Sequence, residues 1–237
     1  LSETTKAAGA GAATDTQKVN NLPMLGSTTG KDFTAGTETE AEIALSRLVA
    51  RVSISSVKTA FDPVGRFKDA TFKVDAIYLK NADSSVNADK TGSVPINGGH
   101  EGAVVTKYLY EAVTGHTANT ELTTPYYFYT FPNVDSSKPT KLIIKGLFDA
   151  DGSGSTSAPI ARYYPITINK KQANTTISGG AGTDKGSIAA NTRYVLTAVI
   201  KGEGAADDKT DIDPATLQLT VTVADWALTI RQDVTFE

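Results

Sequence analysis

The chain has 237 residues, a net charge of −3 and no cysteine, and 40% of its residues are hydrophobic. That length can build a sizeable core in one or two domains, and the lack of cysteine excludes disulfides, thiolate catalysis and cysteine metal sites. The absence of a basic patch argues against nucleic-acid binding, and no stretch approaches the roughly 18 apolar residues of a membrane-spanning helix.

The N-terminal region shows little regular patterning before residue 43. Residues 1–20 are small and polar, which indicates a loop or a flexible end. Between residues 43 and 54 apolar residues come to occupy every second position, as in a strand with one buried face. These residues are Leu48, Ala50, Val52 and Ile54. The segment AEIALSRL, at 41–48, is also compatible with a helical turn.

Seven later segments are rich in β-branched and aromatic residues and predict further strands. They lie at 71–80, 103–110, 125–131, 140–148, 161–168, 192–202 and 216–223. The Gly, Asn, Asp, Ser and Pro clusters between them have turn chemistry, and helical periodicity is weak throughout. We therefore predict an all-β chain that forms an antiparallel β-sandwich of about seven to eight strands, with a barrel as the alternative.

The last two apolar segments place their side chains on positions of opposite parity. The segment 216–223 is apolar at odd positions from Leu217 to Val223, whereas the end of the chain is apolar at even positions from Trp226 onward. Since a shift of one residue moves every side chain to the other face of a strand, residues 224–225 must form a bulge, a bend or a change of sheet.

The terminal segment 226–237 alternates over its whole length. Twelve residues at ~3.3 Å each span roughly 40 Å, about twice a typical strand. Part of it could therefore overhang its own domain and add a strand to a sheet of another copy. The candidate contacts of this donor strand are Trp226, Leu228, Ile230, Val234 and Phe236. The alternative is that the segment is simply the last strand of its own domain, with Trp226 in the core.

The C-terminal part resembles that of the major fimbrial subunits, or fimbrillins, of Bacteroidales. The resemblance rests on NTRYVLTAVIKGEG and LTVTVADWAL, in which the matching residues are Asn191, Tyr194, Gly202, Gly204, Val223 and Trp226. Upstream, LPMLGS at 22–27 and IALSRLVARVSI at 43–54 resemble the junction between the two domains of that family. Leu45, Arg47, Ala50, Arg51 and Val52 match there.

This resemblance implies a transthyretin-like β-sandwich and a role in a cell-surface fimbria. Members of the family are made as lipoprotein precursors and cut after an arginine by a trypsin-like protease. The groove that opens then accepts the C-terminal strand of another subunit. We accordingly expect a non-enzymatic pilus subunit without cofactors, anchored through the fimbria at the outer membrane, which supports adhesion and has other copies of itself as partners.

The resemblance also implies a division of the chain. Residues 1–42 correspond to a remnant of the family's N-terminal domain with its linker, and 43–237 to its C-terminal domain with the terminal strand. Only about 40 residues precede Arg47, so most of an N-terminal domain is expected to be missing. An acceptor groove that spans the missing part would leave this chain unable to polymerise by itself.

A fimbrial tip adhesin, or another sandwich that binds carbohydrate or protein, is the alternative function. The segment PYYFYTFP, at 125–132, offers aromatic residues on both faces of a strand. One face should be core, and the other could bind a host protein or a glycan. A tip subunit needs no donor strand, so the alternating tail favours a shaft subunit.

The remaining candidate sites have weak signals. The loop DADGSGS, at 149–155, follows the start of a calcium-binding loop, but Ile160 occupies the position where a bidentate Glu is needed. The two histidines, His100 and His116, lie in loops far apart and no nucleophile elbow occurs. The carboxylates at 206–208 and 211–213 indicate a solvated loop, with a cation site as the alternative. We predict no catalytic residue and no metal.

Overall fold

The computed structural model describes residues 22–28, 32, 39–83, 109–154, 159–226 and 230–236, and for residues 39–42 and 230–236 it describes the backbone alone. Within these ranges the chain has twelve strands, a single 3-10 turn at Pro214–Thr216 and no α-helix. The described residues include no helix with the length and hydropathy of a membrane span. The strands are β1 (Met24–Leu25), β2 (Thr39–Arg47), β3 (Ala50–Thr59), β4 (Thr71–Lys80), β5 (Tyr110–Ala112), β6 (Tyr126–Thr130), β7 (Lys141–Asp149), β8 (Ile160–Thr167), β9 (Thr175–Ser178), β10 (Thr192–Ile200), β11 (Leu217–Asp225) and β12 (Ile230–Phe236).

The strands form three sheets. A five-stranded sheet of order β6-β3-β10-β11-β9 faces a four-stranded sheet of order β5-β4-β7-β8, and a small third sheet has the order β1-β2-β12. The predicted all-β sandwich is therefore confirmed, with nine strands in its two main sheets within the described residues. The transthyretin-like detail stays a prediction.

The five-stranded sheet is mixed and not purely antiparallel. β3 runs parallel to β10, and β9 runs parallel to β11, while every other pairing in the two main sheets is antiparallel. Parallel neighbours need a crossover connection in place of a tight hairpin. Strands β4 to β9 intervene between β3 and β10 in the chain, so no turn fixes their relative direction.

Alternating side chains build the main core from both sheets. In β10 every second residue is buried, from Thr192 through Tyr194 and Leu196 to Ile200, and Arg193 between the first two is exposed. The four-stranded sheet contributes Phe72 and Tyr164, whose rings meet edge to face at 5.2 Å and 79°. Edge-to-face pairs of this kind add to the free energy gained by burying the rings. The two main sheets thus share one continuous apolar core.

Most predicted strands have their counterparts in the structure. β9, at Thr175–Ser178, was not predicted, and the predicted strand 103–110 lies outside the described residues except for its end at Tyr110. The segment 41–48 contains a strand, β2, and not a helical turn. β2 and β3 are separate strands because Leu48 and Val49 form a bend between them.

The central position of Leu196 makes the main core testable. Leu196 is fully buried in the central strand of the five-stranded sheet, and we expect Leu196→Ala to lower the free energy of unfolding by about 2–5 kcal/mol, since it leaves a cavity. Urea denaturation measures this loss. Val64→Ala, at a side chain that is 89% exposed, is the control and should change stability by less than about 0.5 kcal/mol. A similar small loss for Leu196→Ala would contradict the described core.

Candidate partner-binding site

The chain changes sheet where the parity of its apolar residues changes. Along β11 the residues Leu217, Leu219 and Val221 are buried while those between them are exposed. Asp225 ends the strand, and the amide of Trp226 donates to the carbonyl oxygen of Asn191 at 2.8 Å. The next described strand, β12, belongs to the third sheet. Of the three expected explanations for the parity shift, a change of sheet is the one observed.

The terminal strand pairs with β2 of the same chain. The pairing is antiparallel and runs from Ile230 opposite Leu45 to Phe236 opposite Thr39. β12 lies at the edge of its sheet, since β2 separates it from β1. One side of the terminal strand therefore has no strand neighbour within the described part of the chain. The strand is in neither of the two main sheets of the sandwich.

The structure places the predicted donor residues in two groups. Trp226 is buried at the end of the five-stranded sheet. Ile230, Val234 and Phe236 lie in β12, and the period of two along a strand puts them on one face. Leu228 falls in the segment 227–229, which is outside the described residues.

A second, smaller core forms where β2 and β11 end. Its buried residues are Leu22, Leu48, Val49, Tyr129, Phe131 and Trp226. The rings of Trp226 and Tyr129 are stacked, with centroids 5.5 Å apart and an interplanar angle of 14°. Arg47 is only 7% exposed, and its Cζ atom lies 4.6 Å from the centroid of the Trp226 ring. We call the six buried residues of this cluster the junction core.

Backbone hydrogen bonds tie the junction core to the sandwich. Asn191 has a left-handed backbone with φ of 55°. Its amide donates to the carbonyl oxygen of Val49 at 3.0 Å, while its own carbonyl accepts from Trp226. Asparagine tolerates this conformation better than most residues. The bend after β2 and the end of β11 are thus held together through one residue.

The aromatic segment that we considered as a binding patch contributes to both cores, since Tyr126 and Phe128 lie in the main core. Tyr129 and Phe131 are fully buried in the junction core, and burial raises the pKa of the Tyr129 hydroxyl. Tyr127 is half-buried, with the Cζ atom of Arg51 at 4.6 Å from its ring centroid. The sequence predicted that these aromatic residues alternate between two faces. It indicated no contact for Arg47, which was noted only because it matches a family motif.

The calcium-like loop uses its first carboxylate to hold its own backbone. Asp149 Oδ1 accepts from the amides of Asp151 and Gly152, and Asp149 Oδ2 accepts from Gly154. Within the described ranges no group of three potential ligands could hold a metal ion. The hydrogen bonds that Asp149 accepts support the turn interpretation of this loop.

The described histidine has a structural role in its loop. His116 Nδ1 accepts from the amide of Val74 at 3.0 Å, and its Nε2 lies 3.1 Å from the carbonyl oxygen of Thr120, to which it donates in this tautomer. The other histidine, His100, lies outside the described residues.

The acidic loop before β11 is pinned to the outer face of the four-stranded sheet. Asp208 pairs with Lys80 at 2.8 Å and accepts from the Tyr78 hydroxyl at 2.9 Å. Asp211 pairs with Lys141, also at 2.8 Å. Burial and the negative Asp208 raise the pKa of Tyr78. Both carboxylates thus have cationic partners, and Asp208 is largely withdrawn from water, whereas the Asp211 side chain is 74% exposed.

The family of the chain follows from the match of its sequence. Residues 68–226 match the family described as FimA-like major fimbrial subunit protein, C-terminal domain. The chain belongs to this family. The resemblance to major fimbrial subunits is thereby confirmed, and the FimA-like family is one of structural subunits and not of enzymes. No curated protein matches the chain.

Two solved structures are similar to this chain in fold. A fimbrilin from Porphyromonas gingivalis W83 is similar over 79% of this chain and 60% of its own, with a TM-score of 0.51 and 20% identity. A protein from Bacteroides eggerthii DSM 20697 that is proposed to act in cell adhesion matches over 78% of this chain and 57% of its own, with a TM-score of 0.50 and 21% identity. The FimA-like chain thus spans less than two thirds of these proteins, and likeness at this identity shows the fold alone.

A buried carboxyl group beside the junction core makes stability depend on pH. Asp83 is 1% exposed and its backbone bridges to Phe131. Burial, with a smaller contribution from Asp135, raises the pKa of Asp83 to about 7. Because the folded chain then binds this proton more tightly than the unfolded chain, stability should fall as the pH rises from about 4 to about 7.

Replacement of the Asp83 carboxyl group tests this pH dependence of stability. We expect Asp83→Asn to be more stable than the unaltered protein at pH 8, with a smaller difference at pH 5, because asparagine has no charge to bury. Urea denaturation at the two pH values measures both differences. Asp69→Asn removes a negative charge from an exposed position and controls for net charge. A difference for Asp83→Asn that does not change with pH would show that the carboxyl group does not titrate in this range.

Proposed function

We propose that this chain is part of a subunit of a cell-surface fimbria, and that the subunit polymerises by donating its C-terminal strand, within 226–237, to a neighbouring copy. The observation that carries this proposal is the position of β12. It lies outside both main sheets and is held by backbone pairing with β2 along one side. Membership of the FimA-like family supports the fimbrial role.

The physical basis of donation is strand addition to an open sheet edge. A donated strand gains main-chain hydrogen bonds, and alternate side chains fill pockets in the receiving sheet. Ile230, Val234 and Phe236 could each contribute about 1.5–3 kcal/mol if the neighbour buries them fully. Because donor and acceptor are different surfaces of one subunit, head-to-tail pairing does not close and produces a fibre.

The pairing of β12 with β2 fits a stored form of the donor strand. Seven positions of β12 are paired antiparallel in the single chain, which shows that this backbone can join a sheet. In the fibre the same segment would pair with a neighbour in place of its own β2. The edge it leaves exposed on β2 would then be open to other strands.

The resemblance extends the proposal to the whole subunit. It supports a lipoprotein precursor, cleavage after an arginine, anchoring of the fimbria at the outer membrane, and a division of this chain at 42–43 into an N-terminal remnant and the C-terminal domain. Host proteins or glycans would be the further partners of an adhesive fimbria. The tip-adhesin alternative has less support, since Tyr129 and Phe131 are buried in the junction core.

Substitutions on the two faces of β12 test strand donation. In the natively processed subunit, we expect the triple change Ile230→Ser, Val234→Ser and Phe236→Ser to reduce the fibre yield to below about a tenth of that of the unaltered subunit. Each substitution removes more than about 1.4 kcal/mol of the free energy gained by burying the side chain. Electron microscopy and sedimentation measure the fibre yield.

The matched control changes the opposite face of the same strand. Arg231→Ser, Asp233→Ser and Thr235→Ser should leave the fibre yield close to that of the unaltered subunit. Deletion of residues 231–237 should abolish fibres. Fibres at the unaltered yield from the deleted or the apolar-face variant would refute donation by this strand.

A further inference from the structure

Arg47 joins the base of the terminal strand to β2. It is the last residue of β2, and its Nη1 atom donates to the carbonyl oxygen of Trp226 at 3.3 Å. Its guanidinium also lies over the Trp226 ring, with Cζ at 4.6 Å from the centroid. Two different contacts from one side chain therefore reach the residue with which the chain leaves the five-stranded sheet.

The burial of Arg47 makes these contacts strong. A guanidinium that is withdrawn from water loses hydration, so its remaining partners must compensate. Cation–π contacts and charged hydrogen bonds both strengthen when water is excluded. The Trp226 ring is itself held in place, because it stacks on the Tyr129 ring. Arg47 thus contacts a rigid partner and not a mobile one.

The position of this contact bears on the register of the β2–β12 pair. The first described pair of the ladder is Leu45 opposite Ile230, so Arg47 lies two residues beyond the ladder on β2, and Trp226 four residues before it on the other segment. A slip of one residue would turn the apolar positions of β12 to the other face. A fixed contact at the base of the ladder selects one register among the neighbouring ones.

We infer that Arg47 is a positioning residue for the terminal strand, which sets the register in which β12 pairs with β2. It does so through Trp226 and is not itself part of the strand. The consequence for fibre assembly, that the donor strand is presented in a defined register, rests on the proposed function. The effect on the single chain does not.

Arg51 supplies a matched control. Its Cζ atom also lies 4.6 Å from an aromatic ring, that of Tyr127. Arg51 is in β3, however, and pairs with Arg193 and Tyr129 inside the five-stranded sheet. Removal of its charge perturbs an equivalent contact close to the junction core but leaves the contact between Arg47 and Trp226 in place.

Hydrogen exchange of the monomer tests the inference. The variants are Arg47→Met, which keeps an unbranched apolar stem without the guanidinium, Arg47→Lys, which keeps the charge, and Arg51→Met. Mass spectrometry follows amide exchange in 230–236 and, as an internal reference, in β10. Trp226 is the only tryptophan of the chain, so its fluorescence reports directly whether the contact with Arg47 is lost.

Arg47→Met should speed the exchange of the protected β12 amides about tenfold, with exchange in β10 unchanged. Arg47→Lys should recover part of the protection, and Arg51→Met should match the unaltered protein in 230–236. Unchanged β12 protection in Arg47→Met, together with an altered Trp226 emission, would overturn the inference. If Arg47→Met does not fold, β12 protection in Arg47→Lys equal to that of the unaltered protein, together with an altered Trp226 emission, would overturn it. Failure of the fibre experiments alone would not alter these results, since they are measured on monomers.

Discussion

Neighbouring side chains of a β-strand point to opposite faces, and this constraint decides where the C-terminal strand can lie. β11 uses odd positions up to Val221 for the main core, so the even-numbered apolar residues from Trp226 onward cannot enter that core without a change of direction. The structure resolves the conflict by ending β11 at Asp225 and starting a strand in another sheet. The parity of the sequence therefore accounts for the position of the terminal strand outside the two main sheets.

The junction core turns this local conflict into a defined connection. Trp226 stacks on Tyr129 and contacts Arg47, and its backbone amide donates a hydrogen bond to Asn191. Three strands of distant sequence position, β2, β6 and β11, thus meet at one small group of side chains. Within the part of the chain that the structure describes, β12 pairs along one side alone. A fixed base for such a strand limits the conformational entropy that a receiving subunit would have to remove. This is why the junction core, although small, matters for the proposed assembly.

The sequence predicted the long strands well and their partners poorly. β4, β7, β10 and β11 have many alternating residues, so their periodicity is clear, whereas β9 has four residues and no comparable signal. The break between β2 and β3 was missed because Leu48 keeps the parity of β3 even though it packs in the junction core. Parallel pairing of β3 with β10 is a long-range property that local patterns do not contain. The same holds for the contact of Arg47 with Trp226, which lie 179 positions apart.

The most direct test of the account is to lock the terminal strand on its own chain. Ala44 and Arg231 are opposite each other in the β2–β12 ladder, and the Cα distance of such a pair, about 4.5–5.5 Å, suits a disulfide. The chain has no other cysteine, so the double variant Ala44→Cys and Arg231→Cys forms a single defined bond. We expect the oxidised subunit to make no fibres and reduction of the disulfide to restore them. Fibres of the same yield from the oxidised, intramolecularly linked subunit would contradict this expectation.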